Sequence, residues 1–173
     1  RVTADGVSPR LEWADPRDLV NVAIKGRARR LAAHKVKIEF AEDLPLVNVD
    51  SGLIEEACGQ LLENAAKYSP SGSTISISVR AEQERVIFSI SDQGVGITPD
   101  EQQHLGRRSF RSQRHQATIP GSGLGFWIAS TFVKANGGTI DISSRGQGQG
   151  TTAFIALPGS LMKASELTAL ANE

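Results

Sequence analysis

Residues 61–70 read LLENAAKYSP and close a segment, residues 51–68, whose apolar side chains recur at helical spacing. The apolar face of this predicted helix consists of Leu53, Ile54, Ala57, Cys58, Leu61 and Ala65. Gln60, Asn64 and Lys67 follow one edge of that face, at i, i+4 and i+7. The amide of Asn64 is therefore directed toward the margin of the core, where a buried amide needs partners.

Two chemical roles suit this edge of the helix. The carbonyl oxygen of Asn64 could ligate Mg²⁺, which prefers hard oxygen ligands and takes few of them from protein when phosphates supply the rest. Lys67 lies about one turn on and could meet a phosphate as a point charge. The same residues also fit a helix with an asparagine at its boundary and a solvated lysine.

A second candidate site follows the predicted strand at residues 85–91. By alternation, Asp92 shares one side of the strand with three apolar residues, Val86, Phe88 and Ile90. A carboxylate on the core side is costly unless it accepts hydrogen bonds, and the exocyclic amine of adenine is a suitable donor. Gly94 and Gly96 would let the backbone turn and a flat base approach. A plain hairpin turn is the alternative.

The stretch GSGLG, residues 121–125, leads into a predicted helix over residues 124–135. Glycines at a helix start expose backbone N–H groups and the positive end of the helix dipole to an anion. No Gly-Lys-Ser/Thr follows, so it is not a Walker A loop, and no strand leads directly into it, which excludes the dinucleotide fingerprint. A phosphate site and a simple turn both remain open.

Residues 93–122 lack periodicity and form a long loop, a feature typical of functional lids or disordered segments. Four arginines lie in it, and Arg111 is our candidate for clamping a terminal phosphate, although such clusters are also common in solvated loops. Further on, GQGTT at residues 148–152 begins a strand. There Thr152 could hydrogen-bond Asp92 or the adenine ring, or be an ordinary strand residue.

The rest of the chain predicts an α+β two-layer sandwich, with one mixed sheet and helices on one face. Asp15 and Pro16 begin a helix that runs to about residue 33, and Pro158 ends the last strand. Hairpin-like connections disfavour a doubly wound fold. Residues 10–13 could form a short strand, and the other predicted strands are 35–40, 44–50, 74–80, 85–91, 139–144 and 151–157. The predicted organisation is a linker at 1–9, a domain at 10–158 with a lid at about 94–122, and a C-terminal tail at 159–173.

Composition narrows the class of protein. The 173 residues include 19 acidic and 19 basic side chains, so no overall charge favours nucleic acid or a membrane surface. Cys58 is alone, which excludes an internal disulfide. No apolar run of about 18 residues is present. The chain begins with Arg1 rather than Met, and we expect it to be a piece of a longer protein.

Four motifs in this order, LLENAAKYSP, DQGVGI, GSGLG and GQGTT, resemble the N, G1, G2 and G3 boxes of the histidine-kinase ATP-binding family, which is grouped with gyrase, Hsp90 and MutL. The resemblance spans about residues 11–158. The stretches LEWADPRDLV and HKVKIEFAEDLPLVNVD look most like potassium-sensing kinases of the Kdp type. The resemblance implies a Bergerat fold: a mixed, mostly antiparallel sheet, about three helices on one face, and a mobile lid over ATP.

The resemblance also implies roles for individual residues. Asn64 matches the magnesium-ligating asparagine, Lys67 and Tyr68 the residues that meet phosphates and adenosine, and Asp92 the aspartate that reads adenine. The nucleotide-binding positions carried over in this way, together with the candidates above, are Asn64, Lys67, Tyr68, Asp92, Gly94, Gly96, Ile97, Arg111, Gly121, Ser122, Gly123, Leu124, Gly125 and Thr152. ATP and Mg²⁺ are the implied cofactors.

Some residues depart from the family pattern. Gln60 stands where histidine kinases commonly have a first asparagine and where the hydrolytic relatives have a general-base glutamate, which disfavours autonomous hydrolysis. In the lid, LGRRSFRS at residues 105–112 keeps only Phe110 and Arg111 of the usual pattern. Phe126 and Trp127 replace a small aliphatic pair and are interpreted as core residues.

The expected function is that of a kinase module, which binds Mg-ATP and donates the γ-phosphate to a histidine on an upstream helical domain. His34 is expected to be structural and His104 and His115 to lie in the lid, so the acceptor is expected outside this chain. A response regulator would be an indirect partner, with no direct contact to nucleic acid or membrane. The resemblance implies a cytoplasmic domain of a membrane-anchored parent. The alternatives are a degenerate nucleotide-binding or docking module and an ATP-driven clamp, which Gln60 opposes.

Overall fold

The computed structural model describes residues 2–3, 6–96, 124–146, 148–163 and 170. Four helices lie in these ranges: α1 Pro16–Gly26, α2 Ala28–Leu31, α3 Ser51–Lys67 and α4 Leu124–Ala135. The strands of the same ranges are β1 Val2–Thr3, β2 Gly6–Val7, β3 Glu12–Ala14, β4 Lys35–Phe40, β5 Pro45–Val49, β6 Thr74–Glu82, β7 Arg85–Asp92, β8 Thr139–Ser143 and β9 Thr151–Lys163.

One seven-stranded sheet, with the order β3-β5-β9-β7-β6-β4 and β8 beside β9, carries the helices on one face. Among the described strands, the β4–β6 pair is parallel and the other pairs of this sheet are antiparallel. The mixed, mostly antiparallel two-layer sandwich is therefore confirmed. A hairpin cannot join parallel neighbours, and the chain between β4 and β6 supplies β5 and α3 as the crossover.

The core lies between the sheet and helices α1, α3 and α4. Along β7, Val86, Phe88 and Ile90 are buried, and they share one core cluster with Ile54 and Leu62 of α3, each at most 1% exposed. Burying side chains of this size contributes roughly 1.5–3 kcal/mol each before entropy is counted. The face of β7 that carries Asp92 at its end is therefore the face that the helices cover.

The first predicted helix begins as expected but is interrupted. Asp15 caps α1 by accepting a hydrogen bond from the Arg17 amide, and Pro16 occupies the first turn. The helix then ends at Gly26, because Arg27 leaves the helical conformation at φ −118° and ψ 20°, and α2 follows as a separate turn. The prediction of one helix to about residue 33 was wrong at this break, which turns the Arg27 side chain toward α3.

The end of the chain differs from the prediction. Strand β9 does not stop at Pro158 but continues to Lys163, so residues 159–163 of the predicted tail belong to the sheet. Pro158 pairs with Arg85, where β7 begins, and Gly159 already pairs with Val47 of β5. The proline sits where β9 changes partners, a position that tolerates its missing N–H.

Smaller differences concern two turns and the N-terminal segment. Between β6 and β7 the turn contains only Gln83 and Glu84, both at positive φ, so the strands extend beyond the predicted 74–80 and 85–91. Within the predicted linker at 1–9, β1 and β2 form an antiparallel pair. No helix in the described ranges has the length and apolarity needed to cross a bilayer.

Candidate functional site

The carboxyl group of Asp92 is fixed at the end of β7 by two backbone donors. Asp92 Oδ1 accepts hydrogen bonds from the Gly94 amide at 2.9 Å and from the Thr151 amide at 3.2 Å. Burial raises the pKa of Asp92, and the hydrogen bonds from the backbone of Gly94 and Thr151 lower it by less. A half-buried carboxylate on the helix-covered face, oriented but poorly solvated, is suited to accept a hydrogen bond from a ligand.

Ser69 is a neighbour of this carboxyl group that the sequence reasoning missed. It lies two residues past Lys67, where α3 ends, and its Oγ is buried without a hydrogen bond of good geometry to any described residue. Its hydroxyl is nevertheless close enough to Asp92 to lower the pKa of that carboxyl group. The available signal was its position one residue after Tyr68, at the end of a helix that carries Asn64.

Gly94, in the loop that follows Asp92, packs against the end of α3. A Cβ at this position would overlap the carbonyl group of Tyr68, and the Val95 amide donates to that same carbonyl oxygen at 3.2 Å. Tyr68 itself caps α3, since its amide donates to the Asn64 carbonyl oxygen. Gly94, two residues after Asp92, therefore contacts the residue that lies one helical turn past Asn64.

The turn at residues 93–96 also packs against the glycine-rich loop before β9. Gly96 has φ +67°, and a Cβ there would overlap the Gly146 carbonyl oxygen. The Gly150 amide donates to the Gly94 carbonyl oxygen at 3.1 Å, and Gly148 donates to Val95 at 2.6 Å. Contacts within the chain explain why Gly94 and Gly96 carry no side chain, and the positive φ of Gly96 fits the predicted backbone turn. The approach of a base to these glycines stays a prediction.

The polar edge of α3 packs against the first turn of α4. A Cβ built at Gly125 would lie 2.9 Å from Gln60 Oε1 and 3.2 Å from Asn64 Oδ1. Two side-chain amides and a helix start, with its partly positive dipole end, therefore meet at one place. Of the predicted residues, Asn64 and Gly125 meet at this junction, and Lys67, exposed, and Tyr68, half-buried, follow at the end of α3.

The structure contradicts one of the two contacts predicted for Thr152, its hydrogen bond to Asp92. In the β7–β9 register Asp92 pairs with Thr151 and Ser91 with Thr152, and directly paired residues share a face. The Thr152 hydroxyl lies 2.9 Å from the Ser91 hydroxyl, on the opposite face of the sheet from Asp92. The predicted Thr152–Asp92 hydrogen bond was wrong. Thr151 takes that place through its backbone, and the antiparallel register was the signal that would have identified it.

Several candidates fall outside the described residues. These are the lid beyond residue 96, with His104 and His115, and the candidate positions Ile97, Arg111, Gly121, Ser122 and Gly123. Of the other residues singled out, Phe126 packs against the core. His34 has the structural role expected of it, with ring nitrogens 3.1 Å from the Ala66 carbonyl oxygen and 3.4 Å from the Ser73 hydroxyl.

The donor set at the α3–α4 junction fits a magnesium ion held mainly by a ligand's phosphates. The described residues contain no cluster of three or more His, Cys, Asp and Glu side chains, and the oxygen atoms that face Gly125 at this junction belong to side-chain amides. Asn64 Oδ1 and Gln60 Oε1 face the same glycine and could supply one or two of them. Magnesium in phosphate-binding sites typically takes one or two protein ligands and completes its shell with phosphate oxygens and water.

Comparison with known proteins gives a consistent result. Residues 49–161 match the family model described as histidine kinase-, DNA gyrase B-, and HSP90-like ATPase. The sensor protein KdpD of Clostridium acetobutylicum is 36% identical over 132 residues, which cover 76% of this chain and 15% of that protein. KdpD of Escherichia coli K12 is 30% identical over 158 residues, 91% of this chain and 17% of that protein. The chain thus spans about a sixth of the length of these relatives.

A solved structure of similar fold covers the same region. The mycobacterial sensor histidine kinase MprB superimposes with a TM-score of 0.76 at 29% identity, over 88% of this chain and 100% of that one.

Proposed function

Because the chain belongs to the family of histidine kinase-, DNA gyrase B- and HSP90-like ATPases, we propose that it is the ATP-binding domain of a two-component sensor histidine kinase. In this proposal it binds Mg-ATP and donates the γ-phosphate to a histidine on a helical domain upstream in the parent protein. The parent is membrane-anchored with this domain in the cytoplasm, and a response regulator receives the phosphoryl group afterwards.

The observation that carries the proposal is the placement of Asp92 relative to Asn64. Asp92 is fixed by the Gly94 and Thr151 amides, and Gly94 is packed on the carbonyl group of Tyr68, about one turn past Asn64. The Gly94–Tyr68 contact brings the turn after Asp92 to the end of the helix that carries Asn64. This supports one site that combines an acceptor for an adenine amine with an oxygen ligand for a phosphate-bound metal.

Each described residue has a defined task in this proposal. Asp92 accepts a hydrogen bond from the exocyclic amine of adenine, and the start of α4 with Lys67 attracts the phosphates. Asn64 and Gln60 would hold Mg²⁺ through their amide oxygens. When bound, the ion neutralises negative charge on the phosphates. The chain contributes positioning and charge, which is most of what phosphoryl transfer requires of a protein.

Hydrolysis by this domain alone is disfavoured. The glutamine amide of Gln60 cannot accept a proton from water, and its nitrogen is already bonded to Glu56. An ATP-driven clamp therefore lacks its base at this position. A docking module without phosphotransfer is the remaining alternative, and the lid sequence LGRRSFRS, which departs from the family pattern, favours it.

A phosphotransfer experiment separates these functions. The chain is mixed with the helical segment that precedes it in the parent protein and with γ-labelled ATP and Mg²⁺. We expect label on a histidine of the helical segment, and none when the chain carries Asn64→Ala. Nucleotide binding without label transfer would support the docking module, and steady release of phosphate without an acceptor would support the clamp. Either result would contradict the proposal.

A further inference from the structure

Arg27 lies between α1 and α2, and its side chain contacts the polar edge of α3. The break between α1 and α2 directs its guanidinium across α3, where the Arg27 side chain is only 17% exposed. Arg27 Nη2 lies 2.8 Å from Glu56 Oε1, and Arg27 Nε lies 3.8 Å from Glu63 Oε1. A Cβ at Gly59 would fall 2.7 Å from the guanidinium carbon, so the glycine leaves the space in which Arg27 is seated.

Glu56, which is paired with Arg27, also accepts a hydrogen bond from Gln60. The same oxygen, Glu56 Oε1, accepts a 2.9 Å hydrogen bond from Gln60 Nε2, one turn further along α3. An ionised carboxylate can only accept hydrogen bonds, so it selects the nitrogen of the glutamine amide. The amide oxygen is consequently turned to the other side, where it faces Gly125 beside Asn64 Oδ1.

From this chain of contacts we propose that Glu56, held by Arg27, is a positioning residue of the nucleotide site. It acts through Gln60, because it sets which end of the Gln60 amide faces the start of α4. With the oxygen there, the amide adds an acceptor next to Asn64 for a phosphate-bound cation. With the nitrogen there, that acceptor would be lost. The inference rests on the proposed function of the same site.

The alternative is that Arg27 and Glu56 only fasten α1 and α2 to α3. A purely structural contact would change stability but not the dependence of nucleotide affinity on Mg²⁺. Glu63 provides a matched control, since it lies on the same helix and contacts Arg27 and Arg30 but is not a hydrogen-bond partner of Gln60 among the described residues.

The test is calorimetric titration of the full 173-residue chain with ATP, with and without Mg²⁺. We expect Glu56→Ala to weaken Mg-ATP binding about three- to tenfold, the effect of losing one positioned hydrogen bond, and to leave Mg-free ATP binding unchanged. Glu63→Ala should bind Mg-ATP like the native chain. In a Gln60→Ala background, Glu56→Ala should cause no further loss, since it acts through Gln60.

Thermal unfolding of each variant confirms that the fold is retained. An equal loss of affinity in Glu63→Ala, a full additional loss in the Gln60→Ala background, or native affinity in Glu56→Ala would each overturn the positioning role. If the native chain binds no ATP, the proposed function itself fails. That result is distinguishable from failure of the inference, in which the native chain binds and the variants do not differ as expected.

Discussion

Asp92 and Thr151 face each other across the β7–β9 pair, and the Thr151 amide donates a 3.2 Å hydrogen bond to the Asp92 carboxylate. The Gly94 amide donates to the same oxygen at 2.9 Å, so two strands and a loop fix one carboxyl group. Burial nevertheless raises the pKa of Asp92, so ionisation of this carboxyl group lowers the free energy of unfolding.

The stability of the folded chain should therefore increase at neutral pH in Asp92→Asn. Because the pKa of Asp92 in the folded chain lies above the ordinary 3.8, protonation of this carboxyl group favours folding. That contribution to stability is complete below pH 3.8 and is lost as the pH rises through the folded pKa. Asparagine carries no charge and keeps an Oδ1 for both amides. We expect a higher free energy of unfolding than native in urea at pH 7, and a difference that disappears below about pH 3.8. A variant less stable than native at pH 7 would contradict the assigned cause of the pKa shift.

Thr152→Val should leave nucleotide affinity within about twofold of native. The Thr152 hydroxyl is paired with Ser91 on the face of the sheet opposite Asp92, and the effect of a distant polar contact on binding is small. Competition binding with a fluorescent ATP analogue measures this directly. A tenfold loss of nucleotide affinity would mean that the register of β9 differs near its start. The loss of affinity caused by Asp92→Asn in the same assay provides the reference.

Gly94→Ala should destabilise the chain by about 1–3 kcal/mol, because the new methyl group overlaps the carbonyl group of Tyr68 and neither backbone can move freely. Chemical denaturation checks the value. Gly26→Ala is the matched control, since nothing lies within 4 Å of its added methyl group at the end of α1. There alanine should stabilise by about 0.5–1 kcal/mol. Equal effects of the two substitutions would argue against the Gly94–Tyr68 contact.

Gly125→Ala should have a different effect. Its methyl group would meet the mobile ends of Gln60 and Asn64 rather than backbone, and alanine favours the helix. We therefore expect native or higher stability but about three- to tenfold weaker Mg-ATP binding, because the two amide oxygens are displaced. Parallel denaturation and calorimetry separate the two quantities. A stable variant with native affinity would place the metal ligands elsewhere.

Much of the fold could be predicted because local patterns agree with tertiary structure. The alternation of Val86, Phe88 and Ile90 identified the face of β7 that belongs to the main core, and Asp15 with Pro16 identified the start of α1. The two-layer sandwich followed from the order of such elements. The prediction was wrong at Pro158, because β9 pairs with β7 up to this proline and with β5 from Gly159 on, so the chain stays in the sheet.

The candidate site was predicted less completely. Asn64 and Asp92 could be found from their positions on an apolar face, since polar groups in such places need partners. The face of Thr152 could not be found without the strand register, and Ser69 carries no periodic signal. Glu56 and Arg27 were missed because their relation depends on the break at Gly26, where a helical pattern continues in sequence but not in structure.

The central claim is that Asp92 and Asn64 form one nucleotide site. The most direct test is calorimetric titration of ATP into the native chain, Asp92→Asn and Asn64→Ala, each with and without Mg²⁺. We expect the native chain to bind more tightly with Mg²⁺, Asp92→Asn to lose about ten- to a hundredfold in affinity under both conditions, and Asn64→Ala to lose the Mg²⁺ dependence alone. A native chain that binds no adenine nucleotide, or variants that bind as the native chain does, would contradict the account.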